Sequence, residues 1–198
     1  MKLLYFYLFL IFGIMFNSNA QQNIEWSPDV VLEFSDFKSK RTKVDPSVDS
    51  YLIQAGSKID FLINMTNAEF MFTKNFNSKV TAIFNPNASL IIAPNDKIAN
   101  SLINFARYQF DLTELYSRKF RKMLYENKGT FSNISYIMPL YERIQEELVE
   151  RSGEAGDTSN LGIHADVLEK LHLAVRLELT EYEDFCKTCT PPKNKKKK

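Results

Sequence analysis

The sequence predicts an α+β domain: an antiparallel β-meander packed on a long helix, with two further helices towards the C-terminus. Three observations predict it. Between Ser27 and Pro94 the apolar residues fall in short β-rich runs separated by Gly, Pro and Asn. From Asp96 onward their spacing changes to three and four, the helical period. Between the two stands Pro94-Asn95-Asp96, a helix start signal.

Taken in order, Val30-Val31-Leu32-Glu33-Phe34 is the first apolar run, opened by Pro28, and Lys38 to Pro46 is a polar, basic surface loop. Ser50 to Ala55 and Lys58 to Met65 are β-rich and separated by Gly56, which predicts a hairpin. Ala68 to Phe72, Lys79 to Phe84 and Leu90 to Ile92 complete the strands, the last two separated by an Asn85-Pro86-Asn87 turn. Ile98, Leu102, Phe105, Gln109, Leu112, Tyr116, Phe120 and Met123 then recur at i+3 or i+4 along one stripe, and Lys128-Gly129 ends that helix. Met138 to Arg151 predicts a second helix, broken by a Ser152–Asp157 loop containing two glycines. Ile163 to Phe185 predicts a third, with Leu168, Leu171, Val175 and Leu179 on one face.

Residues 1–20 have the form of a cleavable export leader: Lys2, the apolar run Leu3 to Phe16, then Ser18 and Ala20 as the small residues before a cut ahead of Gln21. That run is shorter than the ~20 residues a helix needs to cross a bilayer. Residues 21–190 are expected to form one domain, large enough for its own core, and residues 191–198 a Pro/Lys-rich tail. Localisation is therefore expected to be secreted or periplasmic. Outside the leader and the tail lysines the chain carries 19 basic against 24 acidic side chains. A net-acidic body is a poor match for nucleic acid, which calls for clustered positive charge. The tail lysines, Lys193 and Lys195 to Lys198, suit either a solvated end or contact with an anionic surface.

Gln109 is the one polar residue in the apolar stripe, and the text that follows it is specific. Phe110-Asp111-Leu112-Thr113-Glu114-Leu115-Tyr116-Ser117-Arg118-Lys119-Phe120-Arg121-Lys122 resembles a family of secreted bacterial proteins related to zinc peptidases. In that family a Phe-Asp-x-x-Glu-Leu-Tyr-Ala-Arg-like stretch directly follows a His-Glu-x-x-His motif. Leu32 to Phe37 and Val80 to Leu90 resemble further segments of it, so that the likeness covers about residues 30 to 125. On this register the metal motif reads Phe105-Ala106-Arg107-Tyr108-Gln109. Zinc peptidase chemistry needs two imidazoles one turn apart and a carboxylate to activate the bound water. Phe105 has no donor atom, Ala106 has no base, and Gln109 has only a neutral amide oxygen. The resemblance thus implies an inactive relative with no metal and no cofactor.

Other chemistry is sparse. Asp111, Glu114, His164 and His172 are the candidate cleft residues. Arg107 with Asp111, and Glu114 with Arg118, are i,i+4 pairs that contribute a few tenths of a kcal/mol each on an exposed helix, although the second also suits fixing neighbouring loops. His164 and His172 lie too far apart on one helix to share a metal as an i,i+4 pair does; His172 could pair with Asp166 or Glu169. Cys186 and Cys189 follow a helix and the acidic Glu181, Glu183 and Asp184, where a redox thiolate is disfavoured. A local disulfide is the simplest expectation for an exported chain, with a zinc pair completed by a second chain as the alternative. There is no Gly-rich phosphate loop and no nucleophile elbow.

Three readings of function stay open. The first is a non-catalytic envelope protein, the inactive peptidase-like relative, which binds or regulates a peptide or an envelope protein. The second is a hydrolase using a non-zinc site. The third is a purely structural envelope protein.

Overall fold

A computed structural model describes residues 23–61, 66–73, 75–128 and 134–192. The expected export leader, residues 1–20, and the tail lysines lie outside these residues. The strands are β1 (Ile24–Glu25), β2 (Lys43–Val44), β3 (Leu52–Gln54), β4 (Ser57–Phe61), β5 (Val80–Phe84) and β6 (Leu90–Ala93). The helices are α1 (Asn67–Phe72), α2 (Asp96–Asn127), α3 (Ile137–Ser159) and α4 (Ala165–Glu181). The class is α+β built on one long helix, as the sequence predicts.

The strand order is less simple than a meander. Two three-stranded sheets form, β1-β5-β4 and β2-β6-β3. The first is antiparallel throughout; the second pairs β2 parallel to β6, so the basic Lys38–Pro46 loop contains a short strand. The expected hairpin at Gly56 is absent, because β3 and β4 belong to different sheets. Gly56 serves close approach instead. Its amide donates to Ser89 Oγ, and a Cβ there would lie 2.5 Å from the Asn85 carbonyl oxygen.

Two segments expected as strands are not strands. Ala68 to Phe72 lies within α1, because Thr66 and Glu69 form a capping box. The Glu69 amide donates to Thr66 Oγ1 at 3.2 Å and the Thr66 amide to Glu69 Oε2 at 2.7 Å. Val30 to Phe34 joins no ladder; it runs unpaired into a 3-10 turn at Phe34–Asp36.

Asn95 caps α2, its side chain accepting the Ile98 amide at 3.0 Å, and Asp96 complements the positive helix end. This helix contacts β4, β5, β6, α3 and α4. Surrounded in this way, it is buried on every side along Leu112 to Arg118 rather than along one stripe.

The Ser152–Asp157 break is also absent, for α3 runs straight through it. Gly156 is helical and packs against Phe105 and Leu161, where a Cβ would come within 3.3 Å of both. The helix stops one turn later, with φ of 48° at Asn160, 53° at Leu161 and 90° at Gly162. α4 ends at Glu181 and is followed by a 3-10 turn at Glu183–Phe185 and a Cys186–Cys189 disulfide. Among the described residues no helix is long and apolar enough to cross a membrane.

Candidate functional site

Phe105, Ala106 and Gln109, the positions the resemblance aligns with metal ligands and base, are turned into the packed interior. Phe105 is buried and sits against Gly156 and Gly162, and Ala106 is fully buried in the core next to the β2-β6-β3 sheet. Gln109 donates from Nε2 to Ser152 Oγ of α3 at 2.8 Å, while its Oε1 is buried without a partner among the described residues. These side chains do not fit zinc. An aromatic ring, a methyl group and one amide oxygen supply neither the ligand set nor the base. Among the described residues no group of three His, Cys, Asp or Glu side chains is placed to hold a metal.

The cleft lies one face over on α2, where Arg107, Phe110 and Asp111 point away from α3 towards α4 and the Trp26–Leu32 segment. Asp111 is its centre. Its Oδ1 accepts Trp26 Nε1 at 2.8 Å, and its Oδ2 accepts His172 Nε2 at 2.7 Å and Arg176 Nε at 3.5 Å. Arg107, expected as its helical partner, donates instead to the Leu32 carbonyl and to Asn104 Oδ1, both at 2.9 Å. His172 pairs with neither Asp166 nor Glu169, because its Nε2 reaches across to α2.

Burial pushes the Asp111 carboxyl up, but the hydrogen bonds from His172 and Trp26, with the nearby charges of His172 and Arg176, outweigh it and hold the carboxyl below its ordinary value. An ionised Asp111 requires Nε2 of His172 to be the donor, which in the neutral ring leaves Nδ1 as an acceptor. Because the folded carboxyl is depressed, its contribution to stability is complete above the unfolded value of about 3.9 and is lost as pH falls through the folded value. The native chain should therefore be more stable than Asp111→Asn near neutrality, and melting curves should show that gap narrowing below about pH 4. A gap unchanged with pH would contradict this account.

Around Asp111 opens a cavity of about 640 Å³ with apolar walls from Trp26, Val30, Leu32, Phe110 and Leu179. Beside it is a second of about 420 Å³, lined by Leu168 and Leu173. Arg107, His172 and Arg176 line both. No family model matches this chain, nor does any curated protein or solved structure. The site therefore rests on its own geometry.

Glu114 lies behind this cleft rather than in it. It accepts Arg118 Nε at 2.9 Å and Arg121 Nη1 at 2.8 Å. The same guanidiniums hold backbone: Arg118 donates to the Leu179 carbonyl, and Arg121 to those of Val80 and Phe185. This is a buried structural cluster, in which Glu114–Arg118 does more than the few tenths of a kcal/mol expected of an i,i+4 pair. Arg118 also stacks over Trp26, its guanidinium carbon 5.4 Å from the ring centroid. His164 stands apart, exposed at the start of α4 with Nδ1 3.3 Å from the Thr158 carbonyl.

Of the sequence candidates, only Asp111 and His172 meet in one cleft. Trp26, Arg107 and Arg176 complete it. Trp26 had one signal in the sequence, as the only tryptophan in the chain; Arg176 had none.

Proposed function

We propose that the mature chain is an exported, non-catalytic protein that acts by binding at the cell envelope, and that it is an inactive relative of the zinc-peptidase-like family its central helix resembles. The observation that carries this reading is the separation of cleft from motif. Phe105 and Gln109 are taken up by contacts with α3 and Ala106 by the core, while the neighbouring cleft offers apolar walls and hydrogen-bond donors. Among the described residues the one hydroxyl lining the larger cavity, that of Thr180, donates to the Arg176 carbonyl. Neither cavity is lined by a serine or a cysteine among the described residues. Export is supported by the leader-like residues 1–20 and by the disulfide, a bond that persists in oxidising compartments. Amino-terminal sequencing of the exported protein is expected to begin at Gln21; recovery of a chain beginning at Met1 would contradict export by a cleaved leader.

A second reading is favoured by the Asp111–His172 hydrogen bond. A carboxylate that fixes an imidazole tautomer is the arrangement of a general base, which would make the chain a hydrolase through a non-zinc site. The two readings separate in one assay. Chromogenic ester and peptide substrates are expected to remain uncleaved by the purified mature chain. Cleavage that disappears in His172→Ala would establish the hydrolase instead.

A further inference from the structure

We infer that the cleft captures the C-terminal end of an extended peptide with an apolar last residue, its carboxylate held by Arg107 and Arg176. This deepens the binding reading and rests on it. Four observations support it.

The first is a surplus of donors. Asp111, the acceptor at the centre of the cleft, is already engaged by Trp26, His172 and Arg176. Arg107 uses Nε and Nη1 within the protein, and Arg176 only Nε, while its side chain is 64% exposed. Nη2 of Arg107 and both terminal nitrogens of Arg176 have no partner among the described residues. Guanidinium groups with free edges match a carboxylate, which offers two acceptor oxygens in one plane.

The second is charge. Arg107, Arg118 and Arg176 line the larger cavity together with the carboxylates of Asp111 and Glu183, leaving a single net positive charge with His172 neutral. Glu169 lines the smaller one. With Glu169 the charges around the two cavities cancel, so the arginines offer local donors without a net positive field, and a dianion such as phosphate is disfavoured.

The third is the Val30–Phe34 segment. It has strand composition and joins no sheet, and its Glu33 backbone is extended. Val31 is 61% exposed, and neither its N–H nor its C=O bonds to a described group. These are the two groups that one residue of an added strand engages. A lone carboxylate on a hydrocarbon chain has no backbone to use them.

The fourth is room. A cavity of about 640 Å³ walled by Trp26, Val30, Leu32, Phe110 and Leu179 accommodates an apolar terminal side chain beside the arginines; ligand pockets usually span roughly 300–1,000 Å³.

Trp26, the only tryptophan, lies in this wall and reports occupancy by its fluorescence. The mature chain would be titrated with the hexapeptide Ala-Ser-Ala-Val-Ala-Leu carrying a free carboxylate, with the same peptide amidated, and with octanoate. Saturable change with the free acid is expected, at least tenfold weaker binding of the amide, and weaker binding still of octanoate. Arg176→Gln, with an unchanged circular dichroism spectrum, is expected to weaken the free acid at least tenfold and leave the amide unaffected. Equal binding of acid and amide would overturn the proposal, as would octanoate matching the peptide or no saturable change with any ligand. Mass spectrometry of the recovered peptide keeps the two readings apart. Peptide bound and then cut would sustain the capture site and remove the non-catalytic reading.

Discussion

Glu114→Leu is expected to destabilise the protein by about 3–5 kcal/mol, the usual cost of removing one partner from a buried ion cluster. The carboxylate is 4% exposed and lies between Arg118 and Arg121, whose side chains are 10% and 0% exposed. Without it, two guanidiniums are left without their shared carboxylate, held only by carbonyl oxygens and, for Arg118, the Trp26 ring. Since domains of this kind are stable by roughly 5–15 kcal/mol, the loss is a large share of the whole. Urea denaturation read by circular dichroism measures it directly. Changing Arg118 to Met as well should recover part of the loss, because one of the stranded charges is then gone. Full recovery is not expected, since the Leu179 carbonyl also loses its donor. A single variant within about 1 kcal/mol of the native protein would mean that the cluster contributes no more than a surface pair.

Writing a zinc motif into α2 is expected to abolish the fold rather than create a metal site. In the triple variant Phe105→His, Ala106→Glu and Gln109→His, the new carboxylate would occupy a fully buried position in the apolar cluster that holds Ala82, Leu102 and Phe110. An unpaired buried charge costs several kcal/mol even after the protein relaxes, and losing the Phe105 ring against Gly156 and Gly162 adds about 3 more. Together these approach the stability of the whole domain. The expected result is an unfolded or molten chain by circular dichroism, with no stoichiometric zinc by elemental analysis. A folded triple variant holding one zinc per chain would overturn both the packing account and the register on which the motif was placed. For the natural chain the same elemental analysis is expected to find no bound zinc.

The elements legible in the sequence are those fixed by local chemistry. Asn95-Asp96 marks the start of α2 because a side-chain acceptor and an acidic first turn are local requirements. Val80–Phe84 and Leu90–Ala93 form strands where β-rich runs flank a proline turn. Where two local signals competed, composition misled. Phe70, Met71 and Phe72 suggest a strand, but the Thr66 and Glu69 capping box decides for a helix. Gly153 and Gly156 suggest a break, yet the close packing of Gly156 on Phe105 rewards the absence of a side chain inside a helix. Val30 to Phe34 has the composition of a strand but no neighbour to pair with.

The site was less legible because its contacts are distant in sequence. Asp111 meets Trp26 from 85 residues away and His172 from 61. A helical spacing rule offers Arg107 to Asp111, and tertiary structure gives Arg107 to Leu32 instead. Glu114 with Arg118 was visible as a spacing, but the burial that changes its energetic meaning is a property of α2 being enclosed on all sides.

The way strands are shared between the sheets has a consequence for cooperativity. β3 and β4 are consecutive, as are β5 and β6, and each pair divides between the two sheets through linkers that meet where Gly56 approaches Asn85 and Ser89. No continuous stretch of chain therefore contains one sheet without also containing strands of the other. Neither sheet can serve as an independent folding unit, and hydrogen exchange should report β4, β5 and β6 opening together as one foldon rather than in sequence.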